Sequence, residues 1–141
     1  STTSLPDNAV VTKVTLMIRS QSYMGTNPFT THQNIAVDIR KGYFGSSGLM
    51  GVNSLDRGDF QAPASLSNAG IILNNPVTDW YWAMLDPAAS QFINLTGVTE
   101  FRLRFQLPDN ADRGNDWIRF YSGNYYSSTS HPMLQVEYYV P

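Results

Sequence analysis

The sequence predicts an all-β protein: an antiparallel β-sandwich of the jelly-roll type with one short helix near residues 87–93. Several short segments alternate between apolar and polar residues, which is the pattern of half-buried strands. Clusters of Gly, Asn, Asp, Ser and Pro separate these segments, as they do in sandwiches and jelly rolls. The sequence lacks the regular succession of strands and longer helices that indicates a parallel α/β sheet.

The clearest strand segments alternate over their whole length. They cover residues 10–19, 35–40, 101–106 and 134–140. In the first of these segments, Val14, Leu16 and Ile18 point the same way, so this face is expected to lie in the core. Residues 79–85 and 117–121 are rich in aromatic side chains and also predict strands.

The least regular part of the chain is the glycine-rich stretch of residues 42–79. We expect a helical turn near residues 55–60 and a brief strand at residues 71–73, within a long connection between two sheets. The short helix is predicted directly after the aromatic strand. Asp86 is a good N-cap, and Pro87 fits the first helical position.

The composition limits the classes of protein that the chain can belong to. Its 141 residues fit one domain, residues 1–141, and a net charge of −2 without a Lys/Arg run gives no attraction for nucleic acid. No apolar run approaches the length of a membrane span, and the lack of cysteine excludes disulfides and thiolate metal sites. Few charges and many aromatic residues are typical of secreted β-modules, so we expect an extracellular or cell-surface protein.

Four segments resemble the strands and turns of DNRLRE-type extracellular domains. They are residues 5–16, 101–105, 121–124 and 131–138. The resemblance implies a jelly-roll sandwich of the kind found in surface proteins and appended to polysaccharide-degrading enzymes, where some members bind carbohydrate. The family has further strands before the first of these segments. The resemblance therefore implies that the chain is the C-terminal, larger part of a longer domain, whose first strands come from the same or another polypeptide.

Catalytic patterns find little support in the sequence. The histidines lie in polar loops, and no Gly-x-Ser-x-Gly elbow accompanies them. Glu100 and Glu137 lie in or beside strand patterns, which does not suggest the paired acid and base of a glycosidase. We therefore expect a protein that is not an enzyme; a hydrolase would have to use Asp109, Asp112 and His131.

The segment most like a metal site is the acidic loop of residues 109–116. Asp109, Asp112 and Asp116, together with loop carbonyls, offer the oxygen ligands that calcium prefers. The spacing differs from that of an EF-hand, and Arg113 places a positive charge in the middle of the loop. Calcium is therefore the one candidate cofactor, and a solvated turn is the alternative.

Aromatic side chains are the first candidates for a binding site, because the C–H faces of sugars stack on flat rings. The rings available are Trp80, Trp82, Trp117, Tyr125 and Tyr126. In the aromatic strand, Trp80 and Trp82 share one face, and they point outward if the opposite face is the core. Tyr125 and Tyr126 lie in a serine-rich loop. The alternatives are that the tryptophans lie in the core or cover a sheet edge, and that the loop packs on its own rings.

Basic side chains on the polar faces of the strands are the second candidates. They are Lys13, Arg19, Arg40, Arg102 and Arg104. If their strands are neighbours, one sheet face carries several guanidinium groups and would suit an acidic polysaccharide, with Arg102 and Arg104 as the expected ligand-binding residues. The alternative is a solvated face balanced by Asp38, Glu100 and Glu137.

Two functions are compatible with these observations. The first is a non-catalytic extracellular module that binds a polysaccharide or another glycan. The second is a structural, adhesin or filament building block that is completed by strands from another segment or chain. The second function predicts an open edge at residues 10–19, where the first strand begins directly after a turn.

Overall fold

The structure, a computed structural model, describes residues 1–45 and 57–141. Within this part of the chain the strands form two antiparallel sheets, which confirms the predicted β-sandwich. The strands are β1 (Val10–Gly25), β2 (Ile35–Lys41), β3 (Leu66–Ile72), β4 (Trp80–Met84), β5 (Thr99–Phe105), β6 (Asp116–Phe120) and β7 (Met133–Tyr139). The first sheet contains β4, β1, β6 and β7, and the second contains β3, β2 and β5. The chain crosses repeatedly between the sheets, as in jelly rolls.

The helices are short and connect the strands. They are α1 (Pro28–Thr31), α2 (Arg57–Gln61) and two 3₁₀ helices, Pro87–Phe92 and Ser128–Ser130. The first 3₁₀ helix is the helix predicted near residues 87–93, and Asp86 caps it by accepting a hydrogen bond from the N–H of Ala88 at 2.8 Å. Over the described ranges, none of the helices has the length and apolar character that crossing a membrane requires.

β1 is the central strand of the first sheet. Residues Thr15 to Arg19 pair with β4, and residues Val10 to Met17 pair with β7 on the opposite edge. Past Arg19, β6 takes the place of β7 on the edge of β1 that lies opposite β4. On this edge the N–H of Tyr121 donates to the carbonyl of Arg19, whereas the N–H of Ser20 points to the other edge and donates to the carbonyl of Asp79.

The expectation of an open edge at residues 10–19 is therefore wrong for residues 14–19, whereas residues 10–13 have no strand partner on the edge opposite β7 in the described part of the chain. β7 pairs with β1 as far as Met17, and β4 covers the other edge from Thr15 onward. The strands that pair with β1 come from the distant C-terminal half of the chain. Local sequence carries no signal for such long-range pairing.

Two further strand limits differ from the prediction. β1 continues to Gly25, beyond residue 19, because an irregularity between Ser20 and Ser22 breaks the alternation before Tyr23 and Met24 resume pairing with β6. β3 begins at Leu66, before the predicted residues 71–73. The pattern did not predict the first half of this strand because that half is polar. The helical turn expected near residues 55–60 is found as α2, and residues 46–56 lie outside the described part.

The core lies between the two sheets and is built from alternate residues of the strands. As predicted, Val14, Leu16 and Ile18 of β1 are buried. From β4, Tyr81 enters the core and stacks on Phe29 of α1, with 5.2 Å between the ring centroids. Each fully buried apolar side chain of this size contributes about 1.5–3 kcal/mol. This packing fixes which side chains of the first sheet point outward.

Candidate functional site

The outer face of β4 carries the two tryptophans. Tyr81, Ala83 and Leu85 are all buried, whereas the alternate residues point away from the core. Trp82 is 36% exposed, and Trp80 is half-buried. Of the two orientations that the sequence allowed, the structure therefore has the one that leaves both indole rings outside the core.

The strand register extends this apolar surface across the sheet. Trp82 lies opposite Met17 of β1, and Met17 lies opposite Met133 of β7. Trp80 lies opposite Arg19. Directly opposed residues in antiparallel strands have Cβ atoms about 5 Å apart, so these side chains form neighbouring rows on one face.

Arg19 connects the sheet to the loop between β6 and β7. Its Nη1 donates to the hydroxyl of the buried Ser130 at 3.1 Å, and its guanidinium carbon lies 5.8 Å from the ring centroid of Tyr121. The carboxylate of Asp79 approaches Arg19 at 4.0 Å. In the described part of the chain, the buried Nε of Arg19 has no hydrogen-bond partner. Arg19 therefore holds the loop against the tryptophan rows.

Three tyrosines follow one another in this loop. The ring centroids are 4.4 Å apart for Tyr121 and Tyr125, and 4.3 Å apart for Tyr125 and Tyr126. The Nε2 atom of His131 donates to the carbonyl of Tyr125 at 2.7 Å. The hydrogen bond with Tyr126, together with partial desolvation, raises the pKa of Tyr125 to about 12. Tyr125 thus packs within its own loop, and Tyr126, at 89% exposure, remains available to a ligand.

β6 adds a further aromatic ring and a second cation to the same side of the sheet. Ile118 and Phe120 pack against the core, so Trp117 and Arg119 point outward. The guanidinium carbon of Arg119 lies 5.2 Å from the ring centroid of Trp117. Sequence reasoning missed Tyr121 and Arg119 as site residues. The alternation within residues 117–121 could have found both, since it places them on one face with Trp117.

Together these side chains form a surface that we call the aromatic face. It comprises the rings of Trp80, Trp82, Trp117, Tyr121, Tyr125 and Tyr126, and the guanidinium groups of Arg19 and Arg119. The first sheet thus brings together four of the predicted site residues, Trp80, Trp82, Tyr125 and Tyr126. The face can stack flat rings and can donate hydrogen bonds beside them.

Arg102 and Arg104 lie elsewhere, on the outer side of the second sheet. Both pair with the fully buried carboxylate of Asp38: Nη2 of Arg102 at 2.8 Å and Nε of Arg104 at 3.2 Å. Burial alone would raise the pKa of Asp38. The N–H of Asn68 and the two guanidinium groups outweigh this effect and hold the pKa of the carboxyl below its usual value.

The donors of Arg102 are largely used within the protein. Its Nη1 donates to the carbonyls of Asp59, Phe60 and Ala62, at 2.8 to 3.1 Å, and its guanidinium carbon lies 4.6 Å from the ring centroid of Phe44. Through these contacts, Arg102 holds the connection between β2 and β3 against the second sheet.

The single cationic face that the sequence suggested is not formed. Lys13 and Arg19 belong to the first sheet, whereas Arg40, Arg102 and Arg104 belong to the second. Of the acidic residues in the alternative, Glu137 pairs with Lys13 at 2.7 Å and Asp38 pairs with Arg102 and Arg104, whereas the Glu100 carboxylate accepts a hydrogen bond from the N–H of Phe44.

The three aspartates of the predicted calcium loop form separate contacts. Asp109 and Asp112 accept hydrogen bonds from backbone N–H groups two residues further on, which are local turns. Asp116 pairs with Nε2 of the buried His32 at 2.8 Å and accepts a hydrogen bond from the hydroxyl of Thr31. Over the described ranges, no group of three acidic or histidine side chains is placed to hold a metal ion. Calcium binding stays a prediction that these contacts do not support.

Comparison with models of protein families, with curated proteins and with solved structures gives no match for this chain. The likeness to DNRLRE-type domains therefore stays a prediction. The function has to be inferred from the site itself.

Proposed function

We propose that the chain is a non-catalytic carbohydrate-binding module that holds a polysaccharide outside the cell on its aromatic face. One observation carries the proposal: all three tryptophans of the chain point outward from the same sheet, although they come from two strands that are distant in sequence. Rings that served only to fill the core would point inward. Rings clustered on an outer sheet face, of which Trp82 is exposed and Trp80 and Trp117 are half-buried, mark an interaction surface.

The form of the aromatic face suits sugars. Trp80, Trp82 and Trp117 stand on strands, which hold the rings more rigidly than loops would. A sugar presents a flat C–H face to such a ring and hydroxyl groups around its edge. The guanidinium groups of Arg19 and Arg119 and the Tyr126 hydroxyl lie beside the rings as partners for those hydroxyls.

Affinity electrophoresis through native gels that contain soluble polysaccharides tests the proposal. The gels would each hold one polymer, neutral or acidic, and retardation relative to a polymer-free gel measures binding. We expect Trp82→Ala and Tyr126→Ala to weaken binding by about tenfold or more, the loss typical of an aromatic residue that anchors a ligand. A wild-type chain that migrates identically in every gel would refute the proposal.

Phe60→Ala is the matched control. Phe60 is 64% exposed, but it lies in α2 beside the second sheet, so its loss should leave retardation unchanged. Thermal unfolding of each variant separates loss of binding from loss of folding. Equal weakening in Phe60→Ala and Trp82→Ala would count against the aromatic face as the site.

A further inference from the structure

We infer that the polysaccharide is acidic and that one of its carboxylates pairs with Arg119. This inference rests on the proposed function and names the substrate class of the same site. Its starting point is the environment of Arg119. The side chain is exposed, lies over the ring of Trp117, and has no hydrogen bond or ion pair to another residue in the described part of the chain.

The other arginines on the described strands are engaged within the protein. Arg40 donates to the carbonyl of Pro63 at 2.7 Å, and Arg19 contacts Ser130 and Asp79. Arg102 and Arg104 share Asp38. Among the arginines of the described strands, Arg119 is therefore the one whose guanidinium group retains its donors, and it lies on the aromatic face.

Contact with Trp117 prepares Arg119 for a carboxylate. A guanidinium that stacks on an aromatic ring keeps its N–H groups in the plane of the fork, where they can form two parallel hydrogen bonds to a carboxylate. The group is charged at every physiological pH. A neutral sugar would leave this charge without a counter-ion, whereas a uronate would supply one.

The position of Arg119 also requires a ligand longer than one sugar. Trp82 lies opposite Met17 of β1, and Arg119 lies opposite Ser22. At about 3.3 Å per residue, with some shortening at the irregularity between them, these points are roughly 15 Å apart along the strand. A ligand that stacks on Trp82 and also pairs with Arg119 must therefore be a chain that runs along β1.

The test compares two forms of one polymer: polygalacturonate, and the same polymer with its carboxyl groups methyl-esterified. Alginate serves as a second acidic polymer, and the neutral polysaccharides used above are included. We expect the acidic forms to retard the wild-type chain more strongly than the ester does. Arg119→Gln should weaken the affinity for the acidic forms by at least about threefold, which corresponds to the usual free energy of an exposed charge pair. Its affinity for the ester should stay unchanged.

Two further variants identify the cause of such a loss. Lys41→Gln removes the same charge from the second sheet and should change binding little, which excludes an effect of net charge alone. Arg119→Lys keeps the charge but loses the planar fork, so we expect an intermediate loss. Preference for the acidic polymers that survives in Arg119→Gln would overturn the inference.

The remaining outcomes separate the two proposals. Equal retardation by polygalacturonate and its ester, or retardation by neutral polysaccharides only, would overturn the acidic ligand and leave the carbohydrate-binding module intact. If no polymer changes the migration of the wild-type chain, both the acidic ligand and the carbohydrate-binding module are refuted.

Discussion

Trp80 lies directly opposite Arg19 where β4 pairs with β1, and the guanidinium of Arg19 lies over the ring of Tyr121. The same side chain donates to Ser130 in the loop between β6 and β7. One cation thus joins a tryptophan of the sheet to the tyrosines of the loop. The position of the exposed Tyr126 depends on this connection.

Arg19→Gln should loosen the loop of residues 121–132 without unfolding the sandwich, because it removes the cation and its contacts with the loop. We expect faster amide hydrogen exchange in this loop and weaker polysaccharide binding. Lys13→Gln is the control, since its surface pair with Glu137 is worth about 1 kcal/mol or less. Unchanged loop exchange in Arg19→Gln would show that Arg19 does not hold the loop.

Asp38→Asn should be among the more damaging single changes in the chain. The fully buried carboxylate has two guanidinium partners, and its neutralisation leaves them without a counter-charge. Removing one partner of a buried pair costs about 3–5 kcal/mol. Urea unfolding measures the loss. Asp7→Asn, at an exposed position, should lie within about 0.5 kcal/mol of the wild type, and a similarly small effect of Asp38→Asn would contradict the prediction.

The same carboxylate predicts part of the acid sensitivity. Its pKa is lowered in the folded state, so its contribution to stability is fully present above about pH 4, the usual aspartate value in unfolded chains. The contribution is lost as the pH falls from there through the lowered folded pKa. Unfolding free energies measured from pH 6 downward should decline less steeply in Asp38→Asn than in the wild type. Parallel pH profiles would argue against this role.

The turn before Trp80 offers a stabilising change. Val77 and Trp80 exchange two backbone hydrogen bonds of 3.0 Å around Thr78 and Asp79, which both have positive φ, as a type I′ turn requires. A β-branched residue is strained at the φ of 48° that Thr78 adopts. We expect Thr78→Asn to raise the unfolding free energy by about 1 kcal/mol. Thr26→Asn, at a residue without positive φ, should give no such gain; an equal gain there would point to another cause.

The sequence predicted those strands whose burial alternates without interruption. The first half of β1 is the example, since one of its faces lies in the core; β2 was predicted from its apolar alternation, although both of its faces are buried from Ile35 to Ile39. The second half of β1 was missed because its pairing resumes only after the irregularity at Ser20, and such a break erases the period of two.

Most aromatic residues of the site were predicted individually, but which side chains lie together on one face was not. Trp80 and Trp82 were candidates from local alternation alone. Arg19 joins them only because β4 pairs with β1, which no local pattern encodes. Arg102 and Arg104 fall on a polar strand face, as predicted. The connection after β2 covers Arg102 on that face, whereas Arg104 stays 43% exposed, and only the structure reveals this partial cover.

The cover on the second sheet has a consequence for how the module would act on polymers. Because the connection after β2 contacts the outer side of the second sheet at Arg102, the proposed binding surface lies on the first sheet alone, and the proposed module would be monovalent. A single copy would attach to a polysaccharide strand without linking it to a second strand. Cross-linking or gelling of a polymer would require two tethered copies, whose gain in avidity depends on the length of the linker between them.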